Sequence, residues 1–540
     1  MLDGIANQRW SATLAIALLI FSAAAVADEP TRRGGTLNMV APYGASVSSL
    51  DPHSTARTQD EVISKALHRT LYRWNSTTNR PELELAESVE VSDDGLTYTY
   101  HLLTNAYFHN GRQMTADDVI WSYTRVMDST RGYPGAGNVR VIAGAIEYES
   151  GNADQISGLE KIDDFTLRIT ISDRVDPAYY LFDGTTSILP REEVENEAAF
   201  QQHPVGLGPF KFVEYVTGSR LVAERFDRYY KPGLPYVDRV VYFIMGEPPA
   251  RDLAFRAHQI DFNLLNAPQY RVYTRDPRLR DHVIEVAEAY TRHIGFSPGF
   301  EPFRDPRVRR AFNHAIDSDL IVQRFIKGKA YTASSWLPPG TLGFDEDLKP
   351  YAYDPENARR LLAEAGYPDG FEVEIVTTTS SSFGRPVLEV AMPFLARVGI
   401  RVVPKVVDSA VFQQLVYQQG SFDGYIMSLN SGPDSLARMR CFHSSTPHRA
   451  CNYIDYANPE FDELIDAAMA ATSNDERASH LRRANALFLE DAPIWFFNYS
   501  KAVMAFQPWV HGAQANSVDL ALQDPEAMWI SAESPRADLK

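Results

Sequence analysis

Residues 167 to 171 read Leu-Arg-Ile-Thr-Ile, a strict apolar–polar alternation. That is the period-two pattern of a strand with one buried face. Residues 97 to 102, TYTYHL, have strand composition and follow the turn Asp93-Asp94-Gly95. Short β-branched or apolar runs at 240–244, 373–376 and 400–403 predict further strands. Helices are punctuated between them. Asp354-Pro355 supplies an N-cap and a proline at the first helical position, Leu361 and Leu362 share a face, and Gly366 ends the segment. Glu356 and Arg360, one turn apart, are expected to pair. Asp305-Pro306 opens a helix running through Ile316. Asn458-Pro459 opens another, with Phe461, Leu464, Ile465 and Ala468 on one stripe. Asn474 is expected to cap a fourth, carrying Leu481, Ala484, Leu487 and Phe488. The interspersed pattern predicts a mixed α/β fold with several strands per sheet. It leaves parallel and antiparallel order open.

Composition adds bounds. Of 540 residues, 44% are hydrophobic and 23% charged, the balance of a folded chain. The length exceeds the ~250–300 residues at which single cores stop growing, so more than one domain is expected. The net charge of −18 makes nucleic acid a poor partner. Arg9 precedes an uncharged apolar run from Ala12 to Val26 that ends in Ala25-Val26-Ala27. About fifteen residues is short of the ~20 a bilayer span needs, and the ending suits a signal peptidase. Residues 1–27 are therefore read as a secretory signal peptide. No cysteine stands at the cleavage point, so no lipoprotein anchor is expected. The mature chain is expected in the bacterial periplasm. In an oxidising compartment Cys441 and Cys451, the only cysteines, are expected to form a disulfide. With His443 and His448 between them they also read as four metal ligands, but the spacing matches no standard zinc module.

Catalytic signatures do not appear. There is no H-E-x-x-H, no G-x-S-x-G and no phosphate loop. Gly206-Leu207-Gly208-Pro209-Phe210 lacks the third glycine of a dinucleotide fingerprint and reads as a turn feeding a strand at Phe210. No catalytic residue, cofactor or resident metal is assigned.

A longer series of motifs runs through the chain in order. It comprises Gly34-Gly35-Thr36-Leu37, Leu50-Asp51-Pro52, Leu85-Ala86-Glu87-Ser88, Ser92-Asp93-Asp94-Gly95-Leu96-Thr97-Tyr98 and Phe108-His109-Asn110-Gly111. It continues with Thr115-Ala116-Asp117-Asp118-Val119, Pro204-Val205-Gly206-Leu207-Gly208-Pro209-Phe210 and Asp305-Pro306-Arg307-Val308-Arg309-Arg310-Ala311-Phe312. Pro338-Pro339-Gly340, Tyr353-Asp354-Pro355-Glu356 and Leu362-Ala363-Glu364-Ala365-Gly366-Tyr367-Pro368 close it. This series resembles the family 5 extracellular solute-binding proteins of ABC importers, which include dipeptide, oligopeptide and nickel binders.

The resemblance implies a two-lobed periplasmic binding protein fold, type II, cluster C. Two crossover strands would hinge the lobes over a ligand. By analogy lobe I takes residues 28–272 and 497–540, with a subdomain at about 60–175, and lobe II takes 273–496. The implied function is capture of a small peptide or peptide-like solute and its delivery to ABC transporter permease subunits, by a monomer that meets the membrane only through the permease. A nickel or metal-chelate binder, an oligosaccharide or opine binder, and less readily a secreted hydrolase are the alternatives.

Site roles follow only from the resemblance. In the dipeptide binders an aspartate before the first of two disulfide-bonded cysteines holds the peptide ammonium, and an arginine after an earlier strand holds the carboxylate. Cys441 and Cys451 match the pair, and Asn452-Tyr453 follows, which favours peptide over nickel. The aspartate position falls near Asn430 to Gly432, where no acid stands. Asp434 either takes that role or caps the following turn. Arg385, before Pro386, is either the carboxylate clamp or a helix-start residue. Ser46, Ser54, Arg69, His293, Trp336 and Asn430 complete the implied lining.

Overall fold

Four strands organise the larger part of the molecule: β1 (Val283–Phe296), β2 (Phe371–Thr378), β3 (Gly424–Asn430) and β4 (Ile494–Phe506). They belong to a seven-stranded sheet in the order 262–264, β4, β1, β3, β2, 400–407, with 330–332 also paired to β4. The computed structural model describes residues 32–536 except 43–45, 380, 382, 431–433 and 472. The expected signal peptide lies outside the described residues. No helix among them is long and apolar enough to cross a membrane.

The open question of strand direction resolves as mixed. β1 runs antiparallel to β3 and β4, whereas β2 runs parallel to β3 and to Ile400–Val407. A parallel neighbour needs a crossover. The helix Gly384–Ala396 makes one between β2 and Ile400–Val407. A separate four-stranded sheet pairs Thr36–Ala41 in parallel with Arg239–Ile244, followed by 220–225 and 210–216. A third sheet is wholly antiparallel, in the order 86–91, 97–102, 166–170, 159–163, beside the hairpin 72–75/80–83.

β1 and β4 enter two different cores. Val286, Ala502 and Met504 pack with Leu37, Met39 and Val240 of the first sheet. Ile294, Trp495 and Phe497 pack with Val373, Ile375 and Ile400. Between these contributions the β1–β4 ladder is interrupted, with residues 288–290 unpaired between Ala287 and Thr291. The result is two α/β lobes threaded by the same two strands.

Local rules account for most helix starts. Asp305, Asp354 and Asn458 each accept a backbone N–H from the first turn, ahead of Pro306, Pro355 and Pro459. α1 (Thr58–Leu67) ends where Gly206 and Gly208 come close. A Cβ on Gly206 would sit 2.1 Å from the Leu67 carbonyl, and one on Gly208 2.3 Å from that of Ala66. The glycines serve packing, and the strand does begin at Phe210. α2 is Pro459–Ala470 and α3 is Asn474–Asp491. Phe461, Leu464, Ile465 and Ala468 of α2 are all buried.

Two local expectations differ. The cap of α3 is Ser473, extended at φ −127° and accepting from the Glu476 N–H; Asn474 is the first helical residue. Glu356 pairs with Arg359 at 2.7 Å and not with Arg360. Arg360 is drawn the other way, to Glu364 at 2.7 Å and the Asn357 carbonyl oxygen at 2.7 Å.

Arg69 anchors the C-terminal segment. Its Nε donates to Glu84 at 3.1 Å and its Nη2 reaches Asp524 at 3.1 Å and Glu526 at 3.2 Å. Its Nη1 donates to the carbonyls of Lys65 and His68. Arg73 and Lys231 complete the charge balance, and Tyr229 and Tyr230 donate to Glu526 and Glu84. Burial opposes the charged form of Glu526, but Arg69 and Lys231 outweigh it and hold the carboxyl down at about 2.

Removing one partner of such a cluster leaves uncompensated buried charge. Arg69→Met should lower unfolding stability by about 3–5 kcal/mol, read from the urea midpoint. The deficit should shrink in acid as Asp524 and Glu526 protonate. A midpoint unmoved at neutral pH would contradict this account.

Candidate functional site

A cavity of about 400 Å³ opens between residues 174–180 on one side and residues 434–477 on the other. Asp176, Tyr179 and Tyr180 form the first wall. Asp434, Leu436, Arg477 and both cysteines form the second. The cavity continues past Arg174, Asp176 and Arg477 into an outer groove of about 640 Å³ floored by Tyr72, Leu83, Val89 and Tyr98. Apolar walls with a few convergent polar groups are the usual make-up of a small-molecule site.

Each wall is held by local structure. Asp434 N-caps the short helix Ser435–Arg440, its Oδ1 accepting the Ala437 N–H at 3.1 Å. Asp176 accepts the Ala178 N–H at 3.0 Å, which sets the turn carrying Tyr179 and Tyr180. Arg477 is pinned by the carbonyls of Ala468 and Ala471, at 3.2 and 3.0 Å, beyond the end of α2. Cys441 and Cys451 are joined, with Cα atoms 5.2 Å apart. The bridge expected from the compartment is present and leaves no thiolate for a metal. His448 faces the Val416 carbonyl and Asp455, and His443 faces Asp462 and Asp466. Among the described residues no group of three or more metal-type ligands occurs.

The electrostatics of the cavity are unbalanced. Burial pushes the Asp434 carboxyl up, only partly offset by the backbone N–H groups and by Arg438 and Arg477. Burial also raises Asp176, and the nearby Asp434 raises it further. Burial and Asp434 together raise the Tyr180 hydroxyl. Among the described residues neither acid forms an ion pair; the two half-buried carboxyl groups share the cavity with Arg174, Arg440 and Arg477, and Asp434 disfavours the charge on Asp176.

The residues implied by the resemblance are dispersed. Asp434 lines the cavity and also caps the turn, so both readings of it describe its position. Arg385 sits in the first turn of Gly384–Ala396 with its guanidinium exposed and 2.7 Å from Glu389. Trp336 is buried edge-on against Phe442 and His293. His293 is buried as well, and burial brings its imidazole down to about 4. Ser54 donates to Asp51 at 3.0 Å, itself paired with Arg125 at 2.6 Å. Arg69 belongs to the charge cluster. Ser46 is exposed in a loop. Asn430 ends β3, and its side chain lies outside the described residues. Asp176, Tyr179, Tyr180 and Arg477 were not singled out in sequence.

Comparison with known proteins follows this geometry. The family model described as bacterial extracellular solute-binding proteins, family 5 Middle, matches residues 80–447. "Heme-binding protein A" of Haemophilus influenzae is 28% identical over 479 residues, covering 84% of this chain and 85% of its own. "Oligopeptide-binding protein AppA" of Bacillus subtilis is 26% identical over 477 residues, covering 83% and 84%. Among solved structures, the Helicobacter pylori periplasmic binding protein DppA in complex with the peptide STSA superposes with TM-score 0.69 at 25% identity, over 93% of this chain and 99% of that one.

The raised Asp434 pKa carries a stability consequence. Between its ordinary and its raised pKa the folded state binds more protons than the unfolded state, so stability falls as pH rises through that window. Asp434→Asn, which keeps the cap, should remove that part of the slope. Superimposable stability–pH curves for wild type and variant would show that the acid is not perturbed.

Proposed function

The chain belongs to the bacterial extracellular solute-binding proteins of family 5, and we propose that it captures a short peptide or peptide-like solute through its ammonium group. It is the substrate-binding component of an ABC transporter. The observation carrying the ligand reading is the facing of Asp434 and Asp176 across one cavity with no ion-pair partner among the described residues. A cation entering between them neutralises the repulsion and restores the charged form of both acids. A free peptide N-terminus is such a cation, and Tyr179 and Tyr180 provide flat apolar walls beside it.

The names of two of the three relatives support the same reading: an oligopeptide-binding protein and a peptide-bound structure are similar over most of the chain, while the third is named for heme. The proposed working unit is two lobes, residues 28–272 with 497–540 and residues 273–496. They close about β1 and β4, and the permease meets the closed form in the periplasm. Closure is driven by whatever the solute contacts better in the closed state than in the open one.

Thermal-shift measurements on the purified mature chain test this. Free-amine di- to tetrapeptides should raise the melting temperature by mass action, and their N-acetylated counterparts should not. Asp434→Asn should weaken peptide binding by about 2–5 kcal/mol with the unliganded melting temperature at neutral pH equal to or above wild type. A shift from neutral oligosaccharides or from nickel, with none from peptides, would replace the peptide reading.

A further inference from the structure

Arg292 lies on β1 just beyond the interruption in the β1–β4 ladder. In register it stands opposite Ser428 on β3 and Asn498 on β4. Directly opposed residues of antiparallel strands send their side chains to the same face, so Asn498, Arg292 and Ser428 form one polar row across the sheet. The Arg292 guanidinium is 4.6 Å from the Phe383 ring centroid. Its Nε is buried with no hydrogen-bond partner, and among the described residues it forms no ion pair. Burial pushes its pKa down, opposed only by Glu288 on the same strand. Lys329 adds a second buried cation nearby, donating to the Lys501 carbonyl at 2.6 Å.

Asn498 in that row is also unsatisfied. Asn498 is fully buried, 0% exposed, with both its amide nitrogen and its amide oxygen unpartnered. The buried Ser500 hydroxyl is unpartnered too. A guanidinium does not shed its proton in a protein. A half-buried one with no acid in ion-pair reach and its Nε buried without a partner is therefore held at a cost, and buried polar groups without partners are few in native folds. The row ends at Ser428 beside a cavity of about 300 Å³ lined by Thr378, Phe383, Tyr417, Met427 and Ser428. That cavity lies at the carboxyl ends of the parallel strands β2 and β3, where open α/β sheets take their ligands.

We propose that Arg292, and not Arg385, holds the carboxylate end of the captured solute, with the Asn498 amide and the Ser428 hydroxyl as its neighbours in the row. The assignment rests on the peptide reading above. A guanidinium fork is the natural bidentate partner of a carboxylate. The contrast with Arg385 is direct, because that side chain is exposed and already paired with Glu389.

Calorimetric titration of the full mature chain with matched peptides, free acid and C-terminal amide, tests the assignment. Wild type should prefer the free acid by on the order of 30-fold or more. Arg292→Met should bring the acid-to-amide ratio to about one, with an unliganded melting temperature equal to or above wild type, since a buried unpaired charge is removed. Arg292→Lys keeps the charge without the fork and should give an intermediate ratio, which covers the case of a poorly folding Met variant. Arg385→Met should keep the wild-type ratio. A wild-type ratio in Arg292→Met or Arg292→Lys, or a ratio near one in Arg385→Met, would overturn the assignment. Binding of neither acid nor amide by wild type would overturn the peptide reading, and this assignment with it.

Discussion

β1 and β4 pair antiparallel on both sides of residues 288–290 and not within them. On one side they carry Val286, Ala502 and Met504 into the core of the Thr36–Ala41 sheet. On the other they carry Ile294, Trp495 and Phe497 into the core beneath β2 and β3. Each lobe is thus completed by residues from strands that also complete the other. Packed cores resist continuous deformation, so bending is concentrated where the ladder is already open. Hinge closure of this kind needs only a few residues to absorb the change, and Glu288, Ala289 and Tyr290 occupy the gap.

Buried charge is handled in two opposite ways around that hinge. Arg69, Arg73 and Lys231 meet Glu84, Asp524 and Glu526 three against three, with tyrosine hydroxyls filling remaining acceptors. That cluster is closed, and it ties the hairpin 72–83 to the C-terminal segment. Asp434 and Asp176 are left facing each other, and Arg292 has no acid in ion-pair reach among the described residues. A fold that can complete one six-member charge cluster does not leave three other charges only partly offset for want of partners. Local violations of the satisfaction rule concentrate where function needs them. Negative groups on one side and a cation on the other match the two ends of a zwitterion.

What was legible in the sequence follows the range of the interaction concerned. Asp305, Asp354 and Asn458 cap helices through contacts within three residues, and each could be read from its own neighbourhood. The disulfide was legible because only two cysteines exist. The Ser473 cap was missed by one position because serine and asparagine are equally good caps and only the backbone angle separates them. The walls of the cavity were not legible at all. Tyr179 and Tyr180 meet Asp434 and Arg477 across about half the chain, and nothing in either segment announces the other. Trp336 and His293 looked like lining because large aromatic and imidazole side chains serve both cores and sites; here they pack on each other in the interior. Arg385 stood out by its neighbour Pro386, whereas Arg292 has no local motif and gains its meaning only from the register of three strands.

Asp434 shows why two readings of one residue need not compete. A carboxylate has two oxygens with several acceptor sites. One oxygen accepts the Ala437 N–H and so fixes the side chain at the start of Ser435–Arg440. That bond orients the group toward the cavity instead of consuming it. The helix N-terminus lends it partial positive potential, but burial and Asp176 work the other way, and burial prevails. The cap is therefore the device that holds an unfavourable charge in place at the cavity wall. Positioning by the disulfide at the other end of the same short helix, where Cys441 follows Arg440, keeps that device from swinging away with the loop.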